Sequence, residues 1–285
     1  MTNLARTIEA ALASPHVADR IEAELIGAPQ GEAPVVHHFG PGIYIREVLL
    51  PAFSLVVGHH HRHPHLNIFL RGSLALLDDD GGVRVLKAPF IFTAPPGRKV
   101  AFTLEDCVWQ NVYATDLTDV DALEAWMFDK SAVFSLSAEQ RRHASEAARE
   151  VDRADFLLFC QQAGWTPDEV RAMSLDDRDQ VPMPAGWPKI TVRSSPIEGR
   201  GVFLSAPAEA GEVLGPARVG DKRTPLGRYT NHARNPNAQF VLAPNGDIVL
   251  VATRRIAGCV GGDAGEEVTV DYRQALAVQG IHVGG

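Results

Sequence analysis

Cysteine is scarce in this chain. It has three, Cys107, Cys160 and Cys259, and their odd number and wide spacing exclude a disulfide framework and a cysteine-based zinc cluster. No apolar run reaches the ~18 residues that span a bilayer. The opening Met1-Thr2-Asn3-Leu4-Ala5-Arg6 lacks the basic start and apolar stretch of a secretion signal. Neither an internal repeat nor a low-complexity tract is visible. These absences leave a cytoplasmic protein without a membrane partner as the simplest expectation. Tyrosine is also rare, at positions 44, 113, 229 and 272 only.

Apolar residues make up 45% of the 285 and charged residues 22%, enough for buried cores and about two domains of ~100–200 residues. The net charge of −8 is divided unevenly. From Lys189 onward 11 Lys+Arg face 9 Asp+Glu, a balance of +2, which leaves −10 for the first 188 residues. A nucleic-acid surface needs clustered positive charge, so no nucleic-acid partner is expected. The acidic first part suits attraction of a cationic partner.

In chain order, residues 1 to about 28 carry apolar residues at helical spacing: Leu4, Ile8 and Leu12, then Ile21 and Leu25 after Pro15. From Val35 to about Phe128 short strands are expected at 42–49, 53–58, 66–70, 73–77, 83–86, 90–93, 100–103 and 108–114. Asp78-Asp79-Asp80-Gly81-Gly82 and Pro95-Pro96-Gly97 would turn between them. Many short strands at close spacing predict a sandwich or barrel. From about Thr118 the pattern turns helical, with Val120, Leu123 and Trp126 on one short helix. Ser137 would cap a second helix, and Thr166-Pro167-Asp168-Glu169 would start a third. Residues 177–187, rich in Asp and Pro, read as a linker.

His59, His61, His63 and His65 share parity, so a strand would place them on one face. Neutral imidazole is a good metal ligand. The run from Gly58 to Asn67, followed by Gly72 and later by Pro95-Pro96-Gly97, resembles the motifs of the cupins, small double-stranded β-helix barrels. The resemblance covers about residues 42–115. It implies His61 and His63 as a ligand pair, with His65 beside them, for Zn²⁺, Ni²⁺ or Fe²⁺. Asn67 stands where the family usually has Glu, and Val100 where a further His is usual, so that ligand set is incomplete. A barrel used for packing, or for assembly of a homo-oligomer, stays open beside a metal site.

The third part carries the sharpest pattern. Gly199-Arg200-Gly201 feeds an apolar strand, then come Asn231-His232 with Pro236-Asn237, then Gly265-Glu266-Glu267 ending in Asp271-Tyr272. Val268, Val270 and Tyr272 alternate with Thr269 and Asp271, the period of a strand. Further strands are expected at 190–192, 201–204, 212–214, 239–242 and 248–251. Over residues 188–273 this resembles the SET-domain protein-lysine methyltransferases, whose last segment threads a loop as a pseudoknot. The resemblance implies S-adenosylmethionine as cofactor, met by Gly199, Arg200, Gly201, Asn231 and His232. It implies Tyr272 as the catalytic tyrosine, with Tyr229 in the same block and Phe240 on the channel wall, where Phe permits higher methylation. Gly211 and Arg228 are only 17 residues apart, so the family's inserted subdomain is missing, and no cysteine cluster follows Tyr272. Cys259 to Ala264 lengthens the approach to Gly265.

The chain is therefore expected to be mainly β with α segments (α+β). Its parts would be an N-terminal helical segment (1–34), a cupin-like double-stranded β-helix barrel (35–128), a helical connector and linker (129–187) and a compact SET β-domain with its pseudoknot (188–285). The expected function is methyl transfer from S-adenosylmethionine to a lysine presented by a protein substrate. A non-catalytic binding or assembly protein on the same scaffold, and a metal-dependent cupin enzyme, are the alternatives. The combination resembles bacterial or phage-encoded proteins. Because the SET part is short, the segment 137–164, the barrel or a second copy is expected to wall the substrate groove.

Overall fold

The computed structural model of the chain describes residues 3–26, 28, 30–77, 82–143, 146–259 and 264–283. The chain divides into two compact units, Met1–Ala144 with Cys259–Asp263, and Ser145–Gly258 with Ala264–Gly285. No helix among the described residues is long and apolar enough to cross a membrane.

The first unit opens with α1 (Asn3–Leu12) and α2 (Val17–Leu25). Arg98 ties α2 to the sheets: its guanidinium reaches Glu22 at 2.7 Å and Asp19 at 2.9 Å, while Nε donates to the Gly58 carbonyl. The strands are β1 (Val35–Gly40), β2 (Ile43–Leu50), β3 (Leu55–Val57), β4 (His60–His61), β5 (His65–Arg71), β6 (Ser73–Leu77), β7 (Val83–Lys87), β8 (Phe90–Ala94), β9 (Val100–Thr103) and β10 (Cys107–Ala114). The expected turn at 78–82 lies mostly outside the described residues. After β10 come α3 (Val120–Met127), β11 (Phe128–Asp129) and α4 (Ala132–His143). The α4 helix starts at Ser131, whose Oγ accepts from the Phe134 amide, so Ser137 lies inside it and is not its cap.

These strands form a five-stranded sheet in the order β1-β2-β10-β5-β8 and a four-stranded sheet in the order β3-β9-β6-β7, while β4 pairs with β11 and its His61 also bridges Gly97. Among the described residues no sheet closes into a barrel, which corrects the expected closed double-stranded β-helix. The reason lies at the edges: β1 and β8 end one sheet and β3 and β7 the other, and no ladder among the described residues joins either pair. The β7 and β8 edges instead carry exposed Val83, Val85 and Ile91. Inward-facing residues still follow the period of 2. The rows Tyr44–Tyr113, Arg46–Asn111–Asn67 and Val48–Trp109–Phe69 run side by side across β2, β10 and β5.

The second unit begins with α5 (Glu146–Ala163) and α6 (Pro167–Leu175). Thr166 and Glu169 cap α6 reciprocally, with Pro167 in its first turn, as the sequence predicts. Then follow β12 (Ile190–Ser194), β13 (Arg200–Leu204), β14 (Val213–Val219), β15 (Lys222–Arg223), α7 (Pro225–Arg228), β16 (Asn231–His232), β17 (Ala238–Leu242), β18 (Ile248–Ala252), β19 (Glu267–Val270) and α8 (Tyr272–Ala277). One sheet runs β12-β13-β19-β16 and the other β15-β14-β18-β17. Leu204, Leu226, Leu250, Ile256, Val268 and Val270 are buried together between these elements. Burying each such side chain stabilises the fold by about 1.5–3 kcal/mol.

The strand expected over 267–272 stops at Val270. The Asp271 side chain accepts the Arg273 amide and starts a helix, so Tyr272 is its first residue.

Candidate active site

The last strand, β19, lies between β13 and β16, pairing antiparallel with the first and parallel with the second. Asn231 thereby sits opposite Thr269, and His232 opposite Val270. Asn237 locks this arrangement. Its Nδ2 donates to the Glu267 carbonyl and its Oδ1 accepts the Thr269 amide, both at 2.8 Å, at a residue only 1% exposed. One side chain thus satisfies two buried backbone groups of β19.

Beside it is a cluster of acceptors. Asn231 Nδ2 lies within hydrogen-bond reach of Ser195 Oγ (3.1 Å), the carbonyls of Glu198 and Arg200 (both 3.2 Å) and Glu267 Oε1 (2.7 Å). Two hydrogens cannot satisfy four acceptors fully. Ser195 Oγ also donates to Glu267. Burial pushes the Glu267 carboxyl up from its usual range, against the pull of Asn231 and Ser195. Gly199 adopts a left-handed φ of 52°, and a Cβ on Gly201 would collide with the Glu267 carboxylate. Gly199, Arg200, Gly201 and Asn231 all meet here. The Tyr229 ring lies near the guanidiniums of Arg200 (5.6 Å) and Arg228 (5.1 Å).

His232 faces the other way. Its Nδ1 accepts the backbone amide of Tyr272 at 3.2 Å, and its Nε2 lies 3.0 Å from Asp155 Oδ2 on α5. An acceptor Nδ1 leaves the proton on Nε2, where it donates to Asp155. Burial pulls the His232 pKa below its usual value, against the hydrogen bond to Asp155. Arg273 NH1 donates to the same Asp155 oxygen at 2.8 Å, and its Nε donates to Gln162. Burial would raise the Asp155 pKa, yet the hydrogen bonds of Arg273 and His232 prevail and hold it low. Phe156 and Phe159 of α5 pack edge-on to the Tyr272 ring, at 6.2 and 5.6 Å.

The Tyr272 hydroxyl donates to the Thr230 carbonyl at 3.3 Å, and burial pushes its pKa further up, so it stays protonated. It borders a cavity of about 450 Å³ that is also lined by Phe159, Trp165, Met173 and Phe240. Gln274 fixes Phe240 by donating to its carbonyl and accepting its amide. The charged lining is Asp176 and Asp179 with Arg218, Arg223 and Arg228. Arg223 grips Asp179 with two bonds, at 2.7 and 2.8 Å. The cavity itself therefore has no acidic excess. Tyr229 is not among its described lining residues; the structure groups it with Arg200, apart from Tyr272 and Phe240.

In the first unit two of the three candidate metal ligands come together and the third does not. His61 and His65 stack at 4.2 Å, and their Nδ1 atoms are engaged by the Tyr113 hydroxyl (2.5 Å) and the His63 carbonyl (3.0 Å). His63 turns aside to stack on Trp126, with Nε2 on that residue's carbonyl. Burial pushes the His61 pKa down to about 2, helped by His65, Arg46 and Lys99. Among the described residues no group of three or more His, Cys, Asp or Glu is disposed to hold a metal ion.

The family model of the SET domain matches residues 147–273, less than half of the chain, and supports S-adenosylmethionine-dependent methyl transfer as a general type of activity. The match begins 41 residues before Pro188, where the motifs alone begin, and takes in α5 and α6. No curated protein matches the chain.

Solved structures similar to part of it include a protein of Neisseria meningitidis (14% identity, 32% of this chain and 92% of that one, TM-score 0.26). A cupin domain from Bordetella pertussis is similar at 16% identity (31% and 99%, TM-score 0.26). A double-stranded β-helix domain protein from Klebsiella pneumoniae is similar at 20% identity (32% and 84%, TM-score 0.26).

Sequence reasoning missed Asp155, Phe159, Arg273 and Gln274. Arg273 and Gln274 directly follow the Asp271-Tyr272 motif, and α8 is what turns them back onto α5 and β17. Asp155 and Phe159 fall in the segment 137–164 expected to wall the groove, but nothing in its helical pattern singles them out.

Proposed function

We propose that the second unit transfers methyl groups from S-adenosylmethionine to a lysine side chain of a protein, with Tyr272 positioning the accepting amine. The observation that carries this reading is the Tyr272 hydroxyl, held on the Thr230 carbonyl at the edge of a cavity with three further aromatic walls, Phe159, Trp165 and Phe240. We also propose that the functional unit starts near α5, since Phe159 and Trp165 supply walls that a short SET core lacks.

Bound at Gly199–Gly201 and Asn231, S-adenosylmethionine would supply an activated methyl group. A lysine amine has a pKa near ~10.4 and must lose its proton to accept that methyl. An apolar cavity lowers this pKa by desolvation, and Arg218, Arg223 and Arg228 oppose an incoming ammonium in the same sense. The neutral amine would form the N–C bond as the C–S bond breaks, releasing S-adenosylhomocysteine and leaving a methylammonium that sheds one proton to solvent. Tyr272 and the Thr230 carbonyl align the amine for this in-line approach, and the aromatic walls exclude water. Their faces also suit a methylated ammonium.

Calorimetric titration of the full chain with S-adenosylmethionine and S-adenosylhomocysteine tests the reading. One-to-one binding is expected, weakened by about 1–3 kcal/mol in Asn231→Ala. Failure of both ligands to bind at millimolar concentration would overturn it and leave a non-catalytic scaffold.

A further inference from the structure

The first unit holds a second cavity, of about 180 Å³, between its two sheets. Its polar side is the row Arg46–Asn111–Asn67, which the register of β2, β10 and β5 sets side by side. All three residues are buried, Asn67 to 1% exposure. Polar groups so placed cost stability unless they find partners.

Asn67 Oδ1 has two, accepting from Trp109 Nε1 and Asn111 Nδ2, each at 2.9 Å. Those donors fix the orientation of the amide, and its Nδ2 is left with no hydrogen-bond partner. Arg46 Nε also makes no hydrogen bond. Its nearest carboxylate, Glu124 Oε1, lies 3.6 Å away, and Glu124 is shared with Lys130 at 3.3 Å. Lys99 lines the cavity and makes no ion pair among the described residues. No aspartate or glutamate is among the described residues that line it. The rest of the lining is apolar side chains, chiefly Val56, Leu74, Leu76 and Phe128, together with the rings of His59, His61 and His65. Burial keeps His61 and His65 neutral, so they add no charge.

The charged side chains of the lining, Arg46 and Lys99, are thus both cationic, beside an unpaired amide donor and a largely apolar remainder. A bound metal ion would face these two cations with no carboxylate among the described lining residues, and the histidines there do not form a group disposed to hold it. Water could fill part of the space, but water brings no charge to offset two cations.

We propose that this cavity binds a small organic monocarboxylate. Asn67 Nδ2, Arg46 Nε and Lys99 Nζ receive the carboxylate, and Val56, Leu76, Trp109 and Phe128 cover the apolar part. The volume equals about six water molecules at ~30 Å³ each, enough for a short aliphatic chain or a single ring.

The test uses the full chain, titrated with benzoate and butyrate and with benzamide and butyramide as their neutral counterparts. Calorimetry reads affinity. Proton–nitrogen correlation spectra read the Trp109 indole N–H, which sits on Asn67. One-to-one binding of a carboxylate is expected, with a shift of the Trp109 signal and at least about tenfold weaker binding of the matching amide. Lys99→Gln removes a half-buried side chain with no ion pair to lose among the described residues. It should weaken carboxylate binding at least about tenfold while leaving the Tm of the free protein unchanged. Equal affinity for carboxylate and amide overturns the proposal. So does failure of both carboxylates to bind at millimolar concentration, or uptake of one equivalent of Zn²⁺ in their place.

Discussion

The backbone amide of Tyr272 donates to Nδ1 of His232 across 3.2 Å. That bond joins β16 to the start of α8, 40 residues apart. It fixes the His232 tautomer and aims the first turn of α8, so the Tyr272 ring reaches the cavity while the histidine ring faces α5. The proton on Nε2 is held by Asp155, which Arg273 holds in turn. A residue that the sequence suggests as a cofactor contact therefore also serves as the hinge pin of the tyrosine.

Replacement of Tyr272 by Phe keeps the ring and its contacts with Phe156 and Phe159 but removes the hydroxyl on Thr230. Turnover should fall by about 10²–10³, the effect of losing one preorganised polar contact. Affinity for S-adenosylhomocysteine should be largely unchanged by calorimetry. Near-normal turnover would make Tyr272 a structural residue.

Asn237→Ala strands the Glu267 carbonyl and the Thr269 amide in the core. Each buried group left unpaired costs about 1–3 kcal/mol. Denaturant unfolding should show the second unit destabilised by about 2 kcal/mol or more. A loss below about 0.5 kcal/mol, the range of a neutral surface change, would mean that β19 is held by other contacts.

His232 gives a pH dependence of definite sign. In the fold, burial depresses its pKa below the usual value of 6.5. The unfolded chain therefore binds the proton first as pH falls. Stability is level above pH ~6.5 and declines below it, down to the folded pKa, by up to about 1.4 kcal/mol per pH unit for this group. His61 and His65 shift in the same direction, so the comparison is between wild type and His232→Asn. The variant should show a shallower acid slope of stability. An identical slope would mean that His232 titrates normally in the fold.

Phe240 lines the cavity with its backbone clamped by Gln274. Phe240→Tyr adds a hydroxyl that can hold a partly methylated amine and take up space. Mass spectra of the product should shift toward fewer methyl groups per lysine. An unchanged distribution would place the limit on methyl number elsewhere.

Much of this architecture is legible from local pattern. Alternation places eight strands of the first unit close to their observed positions, and Thr166-Pro167 with Glu169 marks the start of α6. The parity of Arg46, Asn67 and Asn111 is equally readable, but polar residues at inward positions give no sign of facing a cavity. Barrel closure is not readable in the same way. It depends on whether edge strands meet, and no pattern within β1 or β8 encodes that. Likewise the Asp155–His232 pair spans 77 residues, and only the docking of α5 brings it together. Alternation alone extends the last strand through Tyr272. A single cap at Asp271 ends it two residues earlier, and one aspartate is too short a signal to outweigh the alternating pattern.

The most direct test of the methyl-transfer reading is transfer of an isotopically labelled methyl group. The full chain is incubated with methyl-labelled S-adenosylmethionine and a mixed protein extract, and the proteins are then hydrolysed and their amino acids separated. Label should appear in methylated lysine with wild-type protein and be almost completely lost with Tyr272→Phe. Label in another amino acid, or equal label in lysine with the variant, would contradict that reading.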